Sequence, residues 1–209
     1  MAKPLPTSVR NHLTGLRILL LFTVLCGLAY PLAITGISQA AFSDQANGSL
    51  VKNAQGQVVG SSLIGQNFTV LSKDGKSQTP DSKYFQSRPS AAGALGYDPT
   101  ASGATNKGTN DAGLAATYTQ LKAALAAFNG VSQSAVPPDA ITSSGSGLDP
   151  DISPAYAAIQ VNRVAKARGL SVATVQALVT KYTQGRDLGF LGEPRVNVLE
   201  LNTALTNLG

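Results

Sequence analysis

Two pairs of residues in this chain are spaced for chemistry. Ser49-Leu50-Val51-Lys52 has the SxxK spacing in which a lysine can activate a serine hydroxyl, but neither companion motif of such enzymes, SDN or KTG, occurs. Asp149-Pro150-Asp151 offers two carboxylates, yet Pro150 and Ile152 break the DxDxDG order of a calcium loop. Lying just ahead of Ser153-Pro154, these acids are expected to face the positive end of a helix dipole. No GxxxxGK[ST] phosphate loop is present, and Gly145-Ser146-Gly147 lacks the third glycine of a dinucleotide fingerprint. The remaining inventory is thin. One cysteine, Cys26, and one histidine, His12, sit together at the N-terminal apolar segment, and 11 carboxylates serve the whole chain. That set builds neither a Cys/His zinc site nor a Ser-His-Asp triad within one fold, and no disulfide can form inside the chain. The expected catalytic, metal and cofactor sets are empty.

Charge narrows the partners. Charged residues make up 13% of the 209, about half the usual quarter, and the net charge of +5 is front-loaded. Lys3, Arg10 and Arg17 precede the first acid, Asp44, and beyond residue 17 the balance is 13 basic against 11 acidic. A nucleic-acid-binding face needs clustered Lys and Arg, so no nucleic acid is expected. The front-loading belongs to a membrane device instead. Ile18 to Ile37 runs 20 residues without a charge, about 30 Å of helix and the hydrocarbon thickness of a bilayer. Ser38-Gln39-Ala40 loosely imitates a signal-peptide cleavage site, but the apolar run exceeds the usual 7–15 residues and favours an uncleaved anchor. With Arg10, His12 and Arg17 before the span, the positive-inside rule predicts residues 1–17 in the cytoplasm, 18–37 in the membrane and 38–209 outside. Pro31 should kink the span near its outer end, and the small or weakly polar Thr23, Gly27, Thr35 and Gly36 suit a face packed on other helices or on lipid.

These residues must be carried by a small α+β domain on one N-terminal transmembrane helix. Gln57 to Leu71, rich in Val, Ile, Phe and Thr and broken by glycines, reads as short strands. Ser72 to Asn110 is long and polar, but Tyr84, Phe85, Leu95 and Tyr97 point to a docked loop. Leu114, Tyr118, Leu121, Leu125 and Phe128 form a helical stripe between Asn110, an expected cap, and Gly130. Val136 to Thr142 is a candidate strand entered through Pro137-Pro138. Ser153-Pro154 opens a helix that Gly169 closes, Ser171 caps the next, with Val172, Val175, Leu178, Val179 and Tyr182 on one side, and Asn197 suits the cap of a last helix bearing Val198, Leu201, Leu205 and Leu208.

Between these elements lie polar, turn-forming blocks: Tyr84-Phe85-Gln86-Ser87-Arg88-Pro89-Ser90-Ala91, Tyr97-Asp98-Pro99, Asn106-Lys107-Gly108-Thr109-Asn110, Ser143 to Pro150, Gln160-Val161-Asn162-Arg163-Val164-Ala165 and Pro194-Arg195-Val196-Asn197-Val198-Leu199. In these blocks, with Tyr30-Pro31-Leu32 and Gly60 to Gln66, the chain resembles the C chain of the bacterial potassium-transporting Kdp ATPase over nearly its whole length. Each motif alone is weak; their order and number make the match specific. One departure is Ala104-Thr105-Asn106, where a second small hydroxyl is expected before the Asn.

The resemblance implies a non-catalytic accessory subunit, sometimes described as a catalytic chaperone, of a high-affinity potassium uptake complex in the bacterial inner membrane. Its implied partners are a channel-like A chain, a P-type ATPase B chain and a small F chain. Assembly and support of ATP binding by the B chain are the implied roles, with ATP and potassium acting at the level of the complex; the DKTGT phosphorylation motif of P-type pumps is absent here. Arg88, Asn106, Asn110, Asp149, Gln160, Arg163, Arg195 and Asn197 are candidates for partner contacts or internal braces, since an Arg in a charge-poor domain usually has a defined partner. Gly27, Tyr30, Pro31 and Gly36 are candidates for a helix interface. The competing readings are a membrane-anchored extracytoplasmic binding module and an anchored hydrolase using Ser49 and Lys52.

Overall fold

In the computed structural model, which describes residues 6–208, the chain divides into two compact units, Met1–Ser49 and Leu50–Gly209. Lys3, part of the front-loaded charge, lies outside the described residues.

The first unit is helical. Helix α1 (Thr7–Val24) passes through a π-helical turn at Leu25–Ala29 into α2 (Tyr30–Ala41), and a single turn, α3 (Ser43–Ala46), follows. The helical run Thr7–Ala41 is 35 residues, about 52 Å, so it extends past the 20-residue apolar stretch at both ends. It is the one helix among the described residues long and apolar enough to cross a membrane. Pro31 leaves its mark one turn earlier. Its ring crowds the carbonyl four residues back, at Gly27, and the backbone answers by widening, so that the Tyr30 N–H donates to Leu25 O, five residues away. Thr14 and Thr23 return their hydroxyls to the carbonyls of Arg10 and Leu19, which lets polar side chains sit on an apolar helix without an orphaned donor.

The second unit is α+β. Two small antiparallel hairpins come first, β1 (Leu50–Lys52) with β2 (Val58–Ser61), and β3 (Thr69–Leu71) with β4 (Gln78–Pro80). Helix α4 (Ala112–Asn129) follows, capped by the Asp111 carboxylate on Gly113 N–H and closed by Gly130 at φ 67°. The capping residue is therefore Asp111 and not Asn110, whose side chain is one position too early to reach the first free N–H groups. The expected strand at Val136 to Thr142 instead holds a 3₁₀ turn, Pro138–Ala140, with another just ahead of it at Gln133–Ala135. Two successive prolines supply no N–H to a ladder, and Pro138 takes the first position of a helical turn, where none is needed.

A three-stranded antiparallel sheet in the order β5 (Asp151–Ile152), β7 (Arg195–Asn197), β6 (Thr183–Gln184) backs three helices. These are α5 (Pro154–Arg168), α6 (Val172–Tyr182) and α7 (Val198–Thr206), with Ser153, Ser171 and Asn197 as N-caps and Gly169 closing α5 in the left-handed region. Their inner faces make the core. Tyr156, Val161 and Val164 of α5 meet Val175 and Val179 of α6, Leu201 and Leu205 of α7, and Ile152 and Val196 of the sheet. Each such side chain contributes about 1.5–3 kcal/mol by leaving water. Val172 and Leu208, counted with these stripes in the sequence, are about half exposed.

Candidate partner-binding site

Most polar residues singled out in the sequence are used inside the second unit. The Arg163 guanidinium, projecting from α5, is buried and forks into four acceptors within 3.0 Å, with Asp81 O a fifth at 3.4 Å. Its Nε donates to Asn129 Oδ1 at 2.9 Å, Nη1 to Ser82 O at 2.7 Å and Tyr84 O at 3.0 Å, and Nη2 to Gln160 Oε1 at 2.7 Å. It also lies 4.4 Å from the centre of the Phe128 ring. Burial pulls its pKa down to about 10, which leaves it cationic at neutral pH. One turn of helix away, the Gln160 amide accepts from Gln86 N–H at 2.7 Å and donates to Gln86 O at 3.1 Å. Asn202 of α7 does the same to the adjacent residue, accepting from Phe85 N–H and donating to Phe85 O, both at 2.9 Å. Two buried amides thus pair with the backbone of Phe85-Gln86 as neighbouring strands would. The loop is docked through its main chain, and Phe85 is driven into the core.

The next turn of the same loop is locked to the segment Ser143–Pro150. Arg88 Nη1 donates to Asp149 Oδ2 at 2.9 Å, Ser90 Oγ donates to Gly147 O at 2.6 Å, and the Tyr97 hydroxyl donates to Arg88 O at 3.0 Å. Desolvation pushes the Tyr97 phenol up to about 12, so the hydroxyl stays a donor. Glycine is required at 147. Its φ is 69°, and a Cβ there would come within 2.7 Å of Gly103 O and 2.9 Å of Ala92 N.

Arg88, Asp149 and Arg195 line one cleft of about 430 Å³, together with Asp139, Asp151 and Glu193. Ahead of α5, Asp149 pairs with Arg88 at 2.9 Å and Asp151 with Arg195 at 3.4 Å. Burial, then the charge of Asp149, raises the Asp151 pKa. Asp139 takes the expected helix-start role, accepting from both the N–H and the hydroxyl of the cap Ser153 at 2.8 Å. The remaining candidates stand apart. Asn197 caps α7 and donates to Ser62 O at 2.7 Å. Asn106 is exposed in a left-handed turn at φ 53°, and Asn110 is exposed. Gly27, within the π turn, Tyr30, Pro31 and Gly36 all face outward on the helical rod, and space beyond Gly27 and Gly36 is open to 4 Å.

Sequence reasoning missed two sets of residues. Asn202, Gln86 and Asn129 complete the buried network, but nothing local reveals partners 117 residues away. The second set is the arm between β6 and β7, where Leu188, Phe190 and Leu191 are 82%, 69% and 50% exposed. An apolar Leu-Gly-Phe-Leu run between charged residues was the available signal.

Among the described residues no cluster of His, Cys, Asp and Glu could hold a metal ion, and no buried side-chain N or O atom lacks a hydrogen-bond partner. A cleft of about 370 Å³ beside α7 carries amides, hydroxyls and rings, with Asp81 as its one carboxylate. Ser49 sits in a left-handed turn at φ 50°, and Lys52 is exposed on β1. What the fold defines is one helix long and apolar enough to span a bilayer, and an α+β unit many of whose polar groups brace its own loops. The sequence profile of the family described as "K+-transporting ATPase, c chain" matches residues 12–207. The chain is 54% identical to the potassium-transporting ATPase KdpC subunit of Streptomyces avermitilis, over 100% of this chain and 98% of that one. It is 55% identical to the KdpC subunit of Caulobacter vibrioides over 88% and 87% of the two chains, and 48% identical to that of Gloeobacter violaceus over 93% and 95%. This chain belongs to the KdpC family of K+-transporting ATPase subunits.

Proposed function

We propose that the chain is a non-catalytic assembly subunit of a high-affinity ATP-driven potassium uptake complex in the bacterial inner membrane. The observation that carries this reading is the family match across residues 12–207. Its partners are the channel-like A chain, the P-type ATPase B chain and the small F chain. Residues 1–17 lie in the cytoplasm, 18–37 in the bilayer and 38–209 outside, because the positive charge precedes the apolar run. Gly27, Tyr30 and Pro31 on one side of the helix, and Gly36 further round it, are the positions at which neighbouring helices pack. A domain outside the membrane cannot touch cytoplasmic ATP, so its support of ATP binding acts through the assembled state: a subunit that binds only that state stabilises it by mass action.

Purification of the tagged chain from mild detergent tests the reading. Stoichiometric recovery of the polytopic chains is expected, and recovery of a lone monomer would favour the anchored binding module. A C-terminal alkaline phosphatase fusion should be active; an inactive one alongside an active cytoplasmic reporter would overturn the orientation.

A further inference from the structure

The arm Arg186–Glu193 is built like a docking finger. It leaves the sheet where Gln184 pairs with Arg195, and it narrows to a bridge in which Asp187 and Leu191 exchange both backbone hydrogen bonds at 2.9 Å. Two ion pairs flank that bridge, Arg186–Glu193 at 2.7 Å and Arg195–Asp187 at 3.5 Å. The apex is Leu188-Gly189-Phe190, with Leu188 itself in the left-handed region at φ 53° and Gly189 at φ 82°. A leucine holds that conformation only where the surrounding structure dictates it. Here the dictated result is the outward projection of Leu188 and Phe190, more exposed than nearly every other large apolar residue of the second unit.

We propose that Leu188, Phe190 and Leu191 form an apolar anchor that inserts into a preformed pocket on a polytopic subunit of the same assembly. This rests on the subunit reading above. Two observations select a protein pocket over a lipid surface. The charges around the apex are already paired, Arg186 with Glu193 and Arg195 with Asp187, so no free cation remains in the arm to attract an anionic bilayer. The second observation is orientation. A fluid bilayer makes no demand on the angle of a leucine, whereas a pocket rewards a preorganised one by lowering the entropy lost on binding. A few rigid apolar anchors ringed by charge is also the anatomy of an energetically dominant patch in a protein interface.

The test uses the full-length chain expressed with its partners. Leu188→Ser/Phe190→Ser should lower recovery of the polytopic chains about tenfold or more, with the thermal unfolding midpoint of the chain unchanged, and Phe190→Leu should restore most of it. A benzophenone amino acid placed at position 190 should, on illumination of membranes, give an adduct that mass spectrometry assigns to a polytopic subunit of the co-purified complex. Equal recovery by wild type and the double variant, or adducts confined to lipid or to proteins outside the complex, would overturn the docking proposal alone. A wild-type chain that recovers no polytopic partner would overturn it together with the subunit reading.

Discussion

Residues Ser82–Arg88 and the arm Arg186–Glu193 invert each other. The first is a polar loop drawn inward, where Arg163, Gln160 and Asn202 satisfy its backbone and Phe85 is fully buried. The second is an apolar loop pushed outward, its backbone closed on itself and its ion pairs kept at the base. Both are loops, and neither is loose. The difference teaches where each spends its free energy: the buried polar loop on the stability of its own unit, the exposed apolar arm on something outside it. Polar groups cost least to bury when every one is paired, and large apolar groups are seldom displayed together without use.

Substitutions can break that comparison if the effects fall in the wrong place. The largest loss of stability is expected at Arg163→Ala, about 3 kcal/mol, since Asn129 Oδ1 and Ser82 O lose their donor and Tyr84 O and Gln160 Oε1 keep only Gln86. Arg163→Lys should recover only part, because an ammonium cannot fork to opposed acceptors. Asn202→Ala should cost about 2 kcal/mol by orphaning both backbone groups of Phe85. Arg88→Ala should cost about 1 kcal/mol, its pair with Asp149 being roughly a quarter exposed. Denaturant titration of the full chain in detergent measures all four. Serine at Leu188 or Phe190 should move the same midpoints by no more than about 0.5 kcal/mol while assembly is lost. A large stability loss at the arm would mean that it serves its own fold after all.

The smallest effect sharpens the cleft between the two regions. Asp151 has a raised pKa, chiefly from burial and then from the charge of Asp149. The folded chain therefore holds this proton more tightly than the unfolded one. That contribution is fully present below the reference value of 3.8 and is lost as pH rises through the folded pKa. Asp151→Asn removes this dependence, so its stability relative to wild type should improve between pH 3 and pH 7. An unchanged difference across that range would show that Asp151 ionises freely.

Local rules made the helix boundaries legible. Ser153-Pro154 and Gly169, Ser171 and Asn197 all cap as their types require, because capping depends on atoms within three residues. The same rule explains the slip at Asn110, where Asp111 stood adjacent with an equally suitable side chain. Val136 misled because β-branched and apolar neighbours suggest a strand while the two prolines dictate turns. Arg163 and Gln160 were legible as residues but not as a network, since apart from each other their partners lie 34 to 82 residues away. The arm stayed hidden for the opposite reason: a short apolar run reads as buried, and only the backbone shows it turned outward.

The proposed function has the chain hold the pump together and perform no chemistry of its own. The direct measurement is potassium-stimulated ATPase activity divided by the amount of intact complex recovered after size-exclusion chromatography, for Ser49→Ala, Lys52→Ala, Arg88→Ala, Arg195→Ala and the Leu188→Ser/Phe190→Ser variant. The ratio should stay near wild type in every case, with the serine and lysine variants also assembling normally and the others losing activity only as they lose complex. A large fall in the ratio for Ser49→Ala or Lys52→Ala, with assembly intact, would contradict the account and place chemistry in this chain.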